Sequence, residues 1–595
     1  MEVGLLVSST SFIKRLGESI LHKSDIFTLE VVKDSLMAIG EEMFYALART
    51  SMSPIIYEVL DFASGLTDAK GQLLTQGNGV TGFIGMLTFM VKETLDKFRD
   101  DLHPGDIIIL NDPYGGGGSH LSDVGLVMPI FYEGELIAFS ANKGHWTEVG
   151  GKDAGSWTTD STEIYQEGLQ FPTVKLFQQG QVNQALLDLI EANVRFPELS
   201  LGDLWAQVAG LRTGEKRFHE LCRKHGKDVV LTSIDYMLDY GEQLSRSELK
   251  KLPNGVYTAE DFIDDDGIGN GPFLITCQVT ITDDEFIVDF TGSAKQAPGP
   301  INCSYSGLVS SVRALFLAAT NPSQDVNDGV FRPLRVIAQK GSVIHAERPA
   351  PVATNWESRN FAADVAWKAL APILPERLTA GHLESVCAVI LGGVKPDTNE
   401  RFLIVEPSVG GWGAGFGIDG QNGQFCIGDG ETYNVPVEVA ETRYGVRLTE
   451  YSFHTDGAGA GQFRGGCGVV RGYEALTDSQ FVTASFGRHK FVPWGTAGGE
   501  PGSRNQVEIV RKDGTIEGPF GKCARMVLNQ GDIVRLITAT GGGYGSPLLR
   551  DANHVVQDVK NGWLTCEQAR DVYGVLINPA NYTIDGFTEE RRKSS

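Results

Sequence analysis

Residues 111–123 read NDPYGGGGSHLSD, and residues 143–146 read KGHW. These two segments bring the imidazoles of His120 and His145 and the carboxylate of Asp123 into a span of 26 residues, directly after four consecutive glycines. Imidazole and carboxylate groups are common ligands of Zn²⁺, Mn²⁺ and Fe²⁺. The sequence therefore predicts that these three side chains meet at a metal site with a catalytic role.

A strand and a hairpin are predicted around these segments. Residues 107–110 (IIIL) form a short apolar run that predicts a buried strand ending at the first segment. Residues 124–131 and 136–141 flank the turn sequence of residues 133–135 (EGE), which predicts a hairpin that delivers His145 just past its second strand. Ligands divided between a turn and a neighbouring strand end are normal for a metal site on rigid elements.

A fourth ligand has to come from elsewhere in the chain. Asp61 is our first choice, because it lies in the apolar run of residues 59–62 (VLDF), which is predicted to reach the same sheet edge. Glu58 and Glu148 are rivals for this position. The set contains no thiolate, so an open site that keeps a water molecule is favoured over a closed structural zinc site.

A plainer interpretation treats both histidines as structural. His120 would then be a turn residue, and His145 a hydrogen-bonded histidine at the edge of the core. The glycines at 115–118 are equally open to two interpretations: their N–H groups could face an anion, as in a backbone nest, or they could form a mobile turn. Ser119 is a weak candidate nucleophile, because only its adjacency to His120 suggests it and G-x-S-x-G is absent.

The chain shows no nucleotide-binding motif of its own. G-x-x-x-x-G-K-[ST] is absent, and its nearest approach, residues 521–523 (GKC), lacks the upstream glycine and the hydroxyl. G-x-G-x-x-G before a helix is missing as well. Two polar clusters, residues 355–359 (NWESR) and the group of Glu438, Glu441 and Arg443, are predicted to form structural ion pairs.

The length and composition predict a multidomain α+β protein. A chain of 595 residues exceeds one ordinary core, so two to four domains are expected. Glycine supplies 72 residues, well above its usual share of roughly 7%, in bursts without a fixed period that indicate tight turns and close backbone packing. The predicted organisation is a metal-site α/β domain, a mixed β/α domain, a glycine-rich β-rich domain and a helical tail, over residues 1–250, 251–400, 401–550 and 551–595.

Hydrophobic periodicity locates the main elements. Spacings of three to four predict helices, and alternation or short apolar runs predict strands. Thr565 is predicted to cap the helix of the tail, with Gln568 three residues later as the partner of a weak capping box. The predicted helices cover residues 25–50, 306–319 and 361–374 and much of 183–250, and the predicted strands lie within residues 58–76, 256–291 and 400–548.

Charge and cysteine usage narrow the possible functions. The net charge of −24 argues against nucleic acid and against an anionic membrane surface. The eight cysteines are scattered without C-x-x-C, so most are predicted to be reduced core residues. Polar residues interrupt the apolar run of residues 1–8 early, so no signal peptide is predicted, and no apolar segment of 18 residues predicts a membrane span. The expected compartment is the cytoplasm.

Several strings together resemble the hydantoinase B/oxoprolinase family. This family includes B subunits of ATP-dependent hydantoinases and lactamases, the C-terminal half of 5-oxoprolinase, and subunits of acetone and acetophenone carboxylases. The strings follow the family order from about residue 25 to 580 and so cover nearly the whole chain. They are NDPYGGGGSHLSD, NKGHWTEVGG with STEIYQEGLQFP, DFTGSAKQAPGPIN, YNVPVEVAE, GAGQFRGGCG and GGGYGSP.

The resemblance implies a metal, a partner and a reaction. Family members hold one divalent metal with His and Asp side chains, which correspond here to His120, Asp123, His145 and, less directly, Asp61. Zinc is the first choice of metal, with manganese or iron as alternatives. A hydantoinase A-type partner would hold ATP and Mg²⁺ in a hetero-oligomer, which accounts for the missing nucleotide motif.

The implied activity is hydrolysis of a small cyclic amide, such as a hydantoin, 5-oxoproline or a lactam, after phosphorylation in the partner subunit. The alternative is an ATP-dependent ketone carboxylase that uses bicarbonate at the same metal. Glu148 joins His120, Asp123 and His145 as a predicted catalytic residue, because it or Asp153 could orient His145. A hypothesis of a different class is a non-catalytic partner whose metal only stabilises the fold.

Overall fold

The computed structural model describes residues 26–77, 79–323, 325–430 and 432–594. The prediction about a signal peptide concerns residues 1–8 and lies outside the described residues. The described part of the chain contains five sheets and twelve α-helices, which confirms the predicted mixed α/β class. Within these ranges, no helix combines the length and the apolar character needed to cross a bilayer.

The largest sheet has seven strands, and every neighbouring pair is antiparallel. The predicted strand at residues 107–110 and the predicted hairpin of residues 124–141 are present. The strands predicted within residues 58–76 form a further antiparallel pair, which begins only at Phe62 because residues 54–57 form a helical turn. The strand order is β2-β1-β5-β4-β3-β6-β7, with β1 Phe62–Asp68, β2 Leu73–Gln76, β3 Ile107–Leu110, β4 Asp123–Tyr132, β5 Glu135–His145, β6 Val174–Gln178 and β7 Gln181–Val182.

Helices cover both faces of this sheet. The first helix buries the apolar stripe that its spacing predicted, including Leu29, Val32, Leu36 and Met43, against the sheet and two later helices. Another helix packs on the opposite face and contacts Ala63 and Ala141. The helices are α1 Ile26–Thr50, α2 Pro54–Tyr57, α3 Thr81–Phe98, α4 Gln184–Asn193, α5 Pro197–His225 and α6 Lys227–Leu249.

A four-stranded sheet and two helices follow. The helices are α7 Tyr305–Ala319 and α8 Trp356–Leu370. Ser304 caps α7 by accepting a hydrogen bond from the N–H of Gly307, and α8 begins five residues before the predicted start at residue 361. The strand order is β11-β10-β9-β8, with β8 Gly255–Ile263, β9 Phe273–Ile281, β10 Phe286–Asp289 and β11 Leu334–Ile337.

The glycine-rich part folds into two antiparallel sheets and one short helix. One sheet has the order β13-β12-β16-β19, and the other has the order β14-β15-β20-β17-β18. The elements are β12 Ala388–Val394, β13 Arg401–Glu406, α9 Val437–Arg443, β14 Val446–His454, β15 Gly468–Ala475, β16 Gln480–Ser485, β17 Gln506–Val510, β18 Ile516–Phe520, β19 Lys522–Leu528 and β20 Ile533–Ile537.

The glycine bursts pack backbone against backbone. A Cβ atom on Gly465 would lie 1.9 Å from the carbonyl oxygen of Gly541, and a Cβ atom on Gly541 would lie 2.0 Å from that of Trp412. Gly413 has the same relation to Ala380, at 1.9 Å. Larger residues would push these segments apart, so the glycines permit close approach between bursts that are distant in sequence.

The tail contains both helices and a hairpin. Thr565 and Gln568 form the predicted capping box, with the Thr565 hydroxyl accepting from the Gln568 N–H. A two-stranded sheet, which the sequence did not predict, joins the helices of the tail. The elements are α10 Ala552–Lys560, α11 Cys566–Asp571, β21 Val575–Ile577, β22 Ile584–Phe587 and α12 Glu589–Ser594.

The hydrophobic cores relate only loosely to the predicted domain boundaries. One cluster lies mainly within residues 249–378, and another within residues 383–539. A third joins Phe62, Trp356 and Leu403, which belong to three of the four predicted domains. The division at residues 250, 400 and 550 stays a prediction.

Candidate metal centre

Three adjacent strands align the predicted ligands in one row. Asp123 is the first residue of β4 and pairs directly with His145, the last residue of β5. Asp61 precedes β1, and its carbonyl oxygen accepts a hydrogen bond of 3.0 Å from the N–H of His145. Directly opposed residues on neighbouring strands project to the same face, so the sheet register itself brings these side chains together. His145 was predicted just past its strand, whereas it ends that strand.

His120 joins this row from the turn before β4. Its Nε2 lies 3.0 Å from Oδ1 of Asp123, and Nδ1 of His145 lies 3.1 Å from the same oxygen. Ser119 donates its hydroxyl hydrogen to the second oxygen of Asp123. Candidate ligand atoms of His120, Asp123 and His145 all lie within 4.8 Å of one another. Asp61 stands slightly apart, with Oδ2 3.9 Å from Nδ1 of His145.

Burial and mutual charge set the protonation of this cluster. Burial lowers the pKa of His120 more than Asp123 raises it. Burial also lowers the pKa of His145, but the hydrogen bond to Asp123 and the charge of Asp61 leave it above its ordinary value. For Asp123, burial raises the pKa, yet the two imidazoles hold it well below its usual range. Asp123 is therefore a carboxylate at neutral pH.

The geometry and chemistry of this cluster fit a divalent metal. Ligands at 2.0–2.1 Å from a tetrahedral ion stand about 3.3 Å apart, close to the two separations measured from Asp123. Nδ1 of His120 and Nε2 of His145 are buried and have no hydrogen-bond partner in the described part of the chain. These are the ring nitrogens opposite to the ones that contact Asp123, so the fit to a metal rests on the separations from Asp123 and not on these two atoms.

A small cavity of about 50 Å³ borders this cluster. Its wall combines segments that are far apart in sequence, and it is apolar apart from a few converging polar groups. The lining residues are Ile55, Asp61, Val80, Phe83, His120, Asp123, His145, Trp157, Asn355, Trp356, Arg359, Val386, Ala388, Val405, Glu406, Pro407, Asp429 and Thr432.

The sequence prediction missed the polar side of this cavity. Asn355, Trp356 and Arg359 belong to the cluster predicted to form ion pairs, but they line the cavity at the start of α8. The indole of Trp356 packs edge-on against the ring of His120, with ring centroids 5.7 Å apart. Asp429 also lies in the wall, and burial raises its pKa to about 6 despite the nearby Arg359.

The structure places the predicted residue Glu148 outside the cavity lining. Its Oε1 lies 2.9 Å from a guanidinium nitrogen of Arg195, and burial raises its pKa against the lowering effect of Arg195. Asp153 forms an ion pair with Arg525 instead of orienting His145. Glu58 is half-buried and likewise absent from the cavity lining. Glu148 therefore serves a separate ion pair, because the chain turns away from the sheet after His145.

The remaining sequence predictions concern the turn and the second polar cluster. The carbonyl oxygen of Gly117 accepts a hydrogen bond from Lys143, and a Cβ atom on Gly118 would lie 2.2 Å from the carbonyl oxygen of Asn111. The glycine run is therefore a tightly packed turn that presents carbonyl groups. In the second polar cluster, which consists of Glu438, Glu441 and Arg443, the guanidinium carbon of Arg443 lies 5.5 Å from the centre of the Tyr57 ring.

Glu167 holds the segment that leads into α8. Its carboxyl group accepts hydrogen bonds from the N–H groups of Val352 and Ala353 and from the hydroxyl of Ser161. Burial raises its pKa to about 8, although these three donors lower it. The folded chain thus keeps a proton that the unfolded chain releases near pH 4.5. The contribution of Glu167 to folding stability is therefore complete below about pH 4.5 and is lost as the pH rises through about 8.

The glutamine side chain in the variant Glu167→Gln cannot ionise, so the stability of this variant should not follow the titration of residue 167. From about pH 6 to about pH 9, we expect the free energy of unfolding of the wild type to fall by about 2.7 kcal/mol relative to the variant, because the folded pKa lies about two pH units above the lower pH. Urea denaturation of both proteins at the two pH values measures the difference. Glu133→Gln, at an exposed turn, is the control and should follow the wild type. Parallel behaviour of Glu167→Gln and the wild type would contradict the prediction.

Comparison with known proteins identifies relatives along almost the whole chain. The sequence model of the family described as hydantoinase B/oxoprolinase matches residues 25–547, which confirms the resemblance seen in the motifs. The B subunit of a putative D-/L-hydantoinase from Pseudomonas sp. (strain NS671) is 33% identical, with 96% of this chain and 99% of the relative covered.

Two solved structures share the architecture. The crystal structure of ATP-dependent caprolactamase from Pseudomonas jessenii superposes with a TM-score of 0.88 at 31% identity, covering 96% of this chain and 99% of that one. A nucleotide-free acetone carboxylase structure gives a TM-score of 0.88 at 19% identity, with 96% and 83% of the two chains covered. The second likeness concerns the fold alone.

Proposed function

Because the chain belongs to the hydantoinase B/oxoprolinase family, we propose that it is the metal-bearing catalytic component of an ATP-dependent, two-component enzyme that hydrolyses a cyclic amide. The observation that carries this proposal is the convergence of His120, Asp123 and His145 on the wall of one mostly apolar cavity. Asp61 is proposed as the fourth ligand, since it belongs to the same row of the sheet. Zinc is the proposed metal, with manganese or iron as alternatives.

Each part of the cavity has a proposed task. A bound divalent cation would polarise a carbonyl oxygen and lower the pKa of a coordinated water molecule towards 7. Asp123 contacts both imidazoles and keeps their rings in place. Trp356, Phe83 and Trp157 provide apolar walls that exclude bulk water from the reacting ring.

ATP chemistry is proposed to take place in a second subunit. Relatives of this chain are named as one component of a larger enzyme, and the sequence contains no P-loop. An unactivated ring amide resists hydrolysis, so phosphorylation in a hydantoinase A-type partner with ATP and Mg²⁺ would supply the driving force. Because the proposed ligands line the cavity rather than a sealed core, a catalytic role is favoured over a purely structural metal.

Ketone carboxylation with bicarbonate is the alternative function. This alternative is suggested by the fold that the chain shares with acetone carboxylase, but the two sequences are only 19% identical. The hydantoinase and caprolactamase relatives are 33% and 31% identical, so ring-amide hydrolysis is favoured.

Reconstitution with an A-type partner tests the proposal. The complex should hydrolyse ATP in proportion to ring opening with hydantoin, 5-oxoproline or a lactam, and show no such coupling with a ketone plus bicarbonate. Each component alone provides the control and should show no coupled turnover. Turnover with only the ketone and bicarbonate would select the carboxylase, and a complex that turns over without this chain's metal would contradict a catalytic metal.

A further inference from the structure

Arg359 stands out among the buried charges of this protein. It lies in the first turn of α8, is only 4% exposed, and lines the cavity that contains His120 and His145. Its Nε and Nη1 atoms are buried and have no hydrogen-bond partner in the described part of the chain. A buried guanidinium with unused N–H groups is costly unless it binds an oxygen-bearing group.

Several other buried arginines of this chain have acidic partners. Arg471 pairs with Glu406 at 3.0 Å, and Arg550 pairs with Asp558 at 2.8 Å. Arg359, in contrast, has no carboxylate within 4.0 Å among the described residues, although Asp429 lies in the same cavity wall. The fold therefore leaves this positive charge available to a ligand.

The surroundings of Arg359 form a built site. A Cβ atom on Gly82 in α3 would lie 2.0 Å from Nη1 of Arg359, so the glycine provides the space that the guanidinium occupies. Asn355 and Trp356 place the N-terminus of α8 in the same wall, where the helix dipole favours an anion.

We propose that Arg359 and the first turn of α8 form an oxyanion-binding subsite beside the metal centre, which anchors the phosphoryl group of the activated substrate. The proposal rests on the proposed function, in which the partner attaches this phosphoryl group to the ring carbonyl oxygen. A guanidinium binds phosphate or carboxylate oxygens with paired, charge-assisted hydrogen bonds. A substrate carboxylate, such as that of 5-oxoproline, is the second source of the same chemistry.

Phosphate binding to the zinc-loaded, full-length chain tests the subsite without turnover. By calorimetric titration with inorganic phosphate, Arg359→Met should bind at least about tenfold more weakly than the wild type, and Arg359→Lys should recover part of the loss. Arg335→Met, which alters an arginine with a 60% exposed side chain, should bind like the wild type. His120→Ala should retain the binding that depends on Arg359. Equal phosphate affinity of Arg359→Met and the wild type would overturn the proposal.

Stability separates an anchoring role from a structural one. Removing a buried charge that has no partner should leave the Tm of phosphate-free Arg359→Met equal to or above that of the wild type. Phosphate should raise the Tm of the wild type but not of the variant. A variant that melts well below the wild type would instead assign a structural role to Arg359.

The reconstituted complex distinguishes the two sources of the oxyanion. If Arg359 anchors the phosphoryl group, Arg359→Met should reduce turnover of 5-oxoproline and of a lactam without a carboxylate to a similar extent. A rise in KM for 5-oxoproline alone would assign the substrate carboxylate and overturn the phosphoryl assignment. If the wild-type complex turns over no cyclic amide, the proposed function fails, while the phosphate titration still decides whether the subsite exists.

Discussion

His120→Ala is expected to lose its bound metal and to lower coupled turnover of the reconstituted complex by on the order of 10³-fold or more. His120 supplies one of three candidate ligand atoms that lie within 4.8 Å of one another, so its removal leaves too few protein ligands for tight binding. Asp123→Asn should have a comparable effect, because it removes the negative charge that both imidazoles contact. Metal content per chain, measured by mass spectrometry, and ATP-coupled ring opening are the two readouts.

His219→Ala is the matched control for this experiment. The Nε2 of His219 lies 2.8 Å from the carbonyl oxygen of Phe131, and this residue is not part of the cavity wall. The control should keep its metal and its turnover. Asp61→Asn tests the fourth ligand and should weaken metal binding less than His120→Ala does. Full metal occupancy in both His120→Ala and Asp123→Asn would refute the ligand assignment.

The part of this site that is formed by residues close to one another in sequence could be predicted. His120 and Asp123 share one turn, and a hairpin returns the chain to His145, so short-range patterns were sufficient to bring these residues together. Asp61 could be predicted because it lies in an apolar run, although the register of β1 against β5 was not readable from the sequence.

The polar wall of the cavity depends on long-range packing, which a single sequence does not encode in a readable pattern. Arg359 and Asp429 reach the candidate metal centre only because α8 and the glycine-rich segments fold against the first sheet. A polar string such as residues 355–359 more often forms surface ion pairs, and that expectation led to the wrong prediction. The predicted placement of Glu148 at the site was wrong for a related reason. Glu148 is close to His145 in sequence, but the chain changes direction after β5 and carries Glu148 away from the cavity.

The same distinction between short-range sequence patterns and long-range packing applies to the fold. The helices were predictable because spacings of three to four mark the buried face of α1 directly. The glycine bursts predicted close packing but not their partners, since Gly465 and Gly541 meet across the glycine-rich part of the chain. The hairpin of the tail was missed because its strands are only three and four residues long.

Arg488→Met is expected to cause a large loss of stability, about 3–5 kcal/mol, because it leaves buried acids without their cation. The side chain of Arg488 is fully buried and contacts Asp364, and a guanidinium nitrogen lies 3.1 Å from Asp261. Its Nε lies 3.7 Å from Glu384, whose pKa burial raises well above its usual range. The guanidinium also lies 4.3 Å above the ring of Phe361. Removing it would leave Asp364 and Glu384 without a cation in a low-dielectric environment, while Asp261 would keep a lysine partner at 3.1 Å.

Arg447→Met is the matched control, because Arg447 forms a two-pronged pair with Glu474 while its side chain is 58% exposed. Exposed pairs contribute under about 1 kcal/mol, so this variant should unfold almost like the wild type. Arg488→Lys should be intermediate, since an ammonium group keeps the charge but cannot reach three acids in a planar arrangement. Calorimetric Tm values and hydrogen exchange around residues 380–390 measure the effect. Equal Tm values for Arg488→Met and Arg447→Met would mean that the buried network does not stabilise the fold.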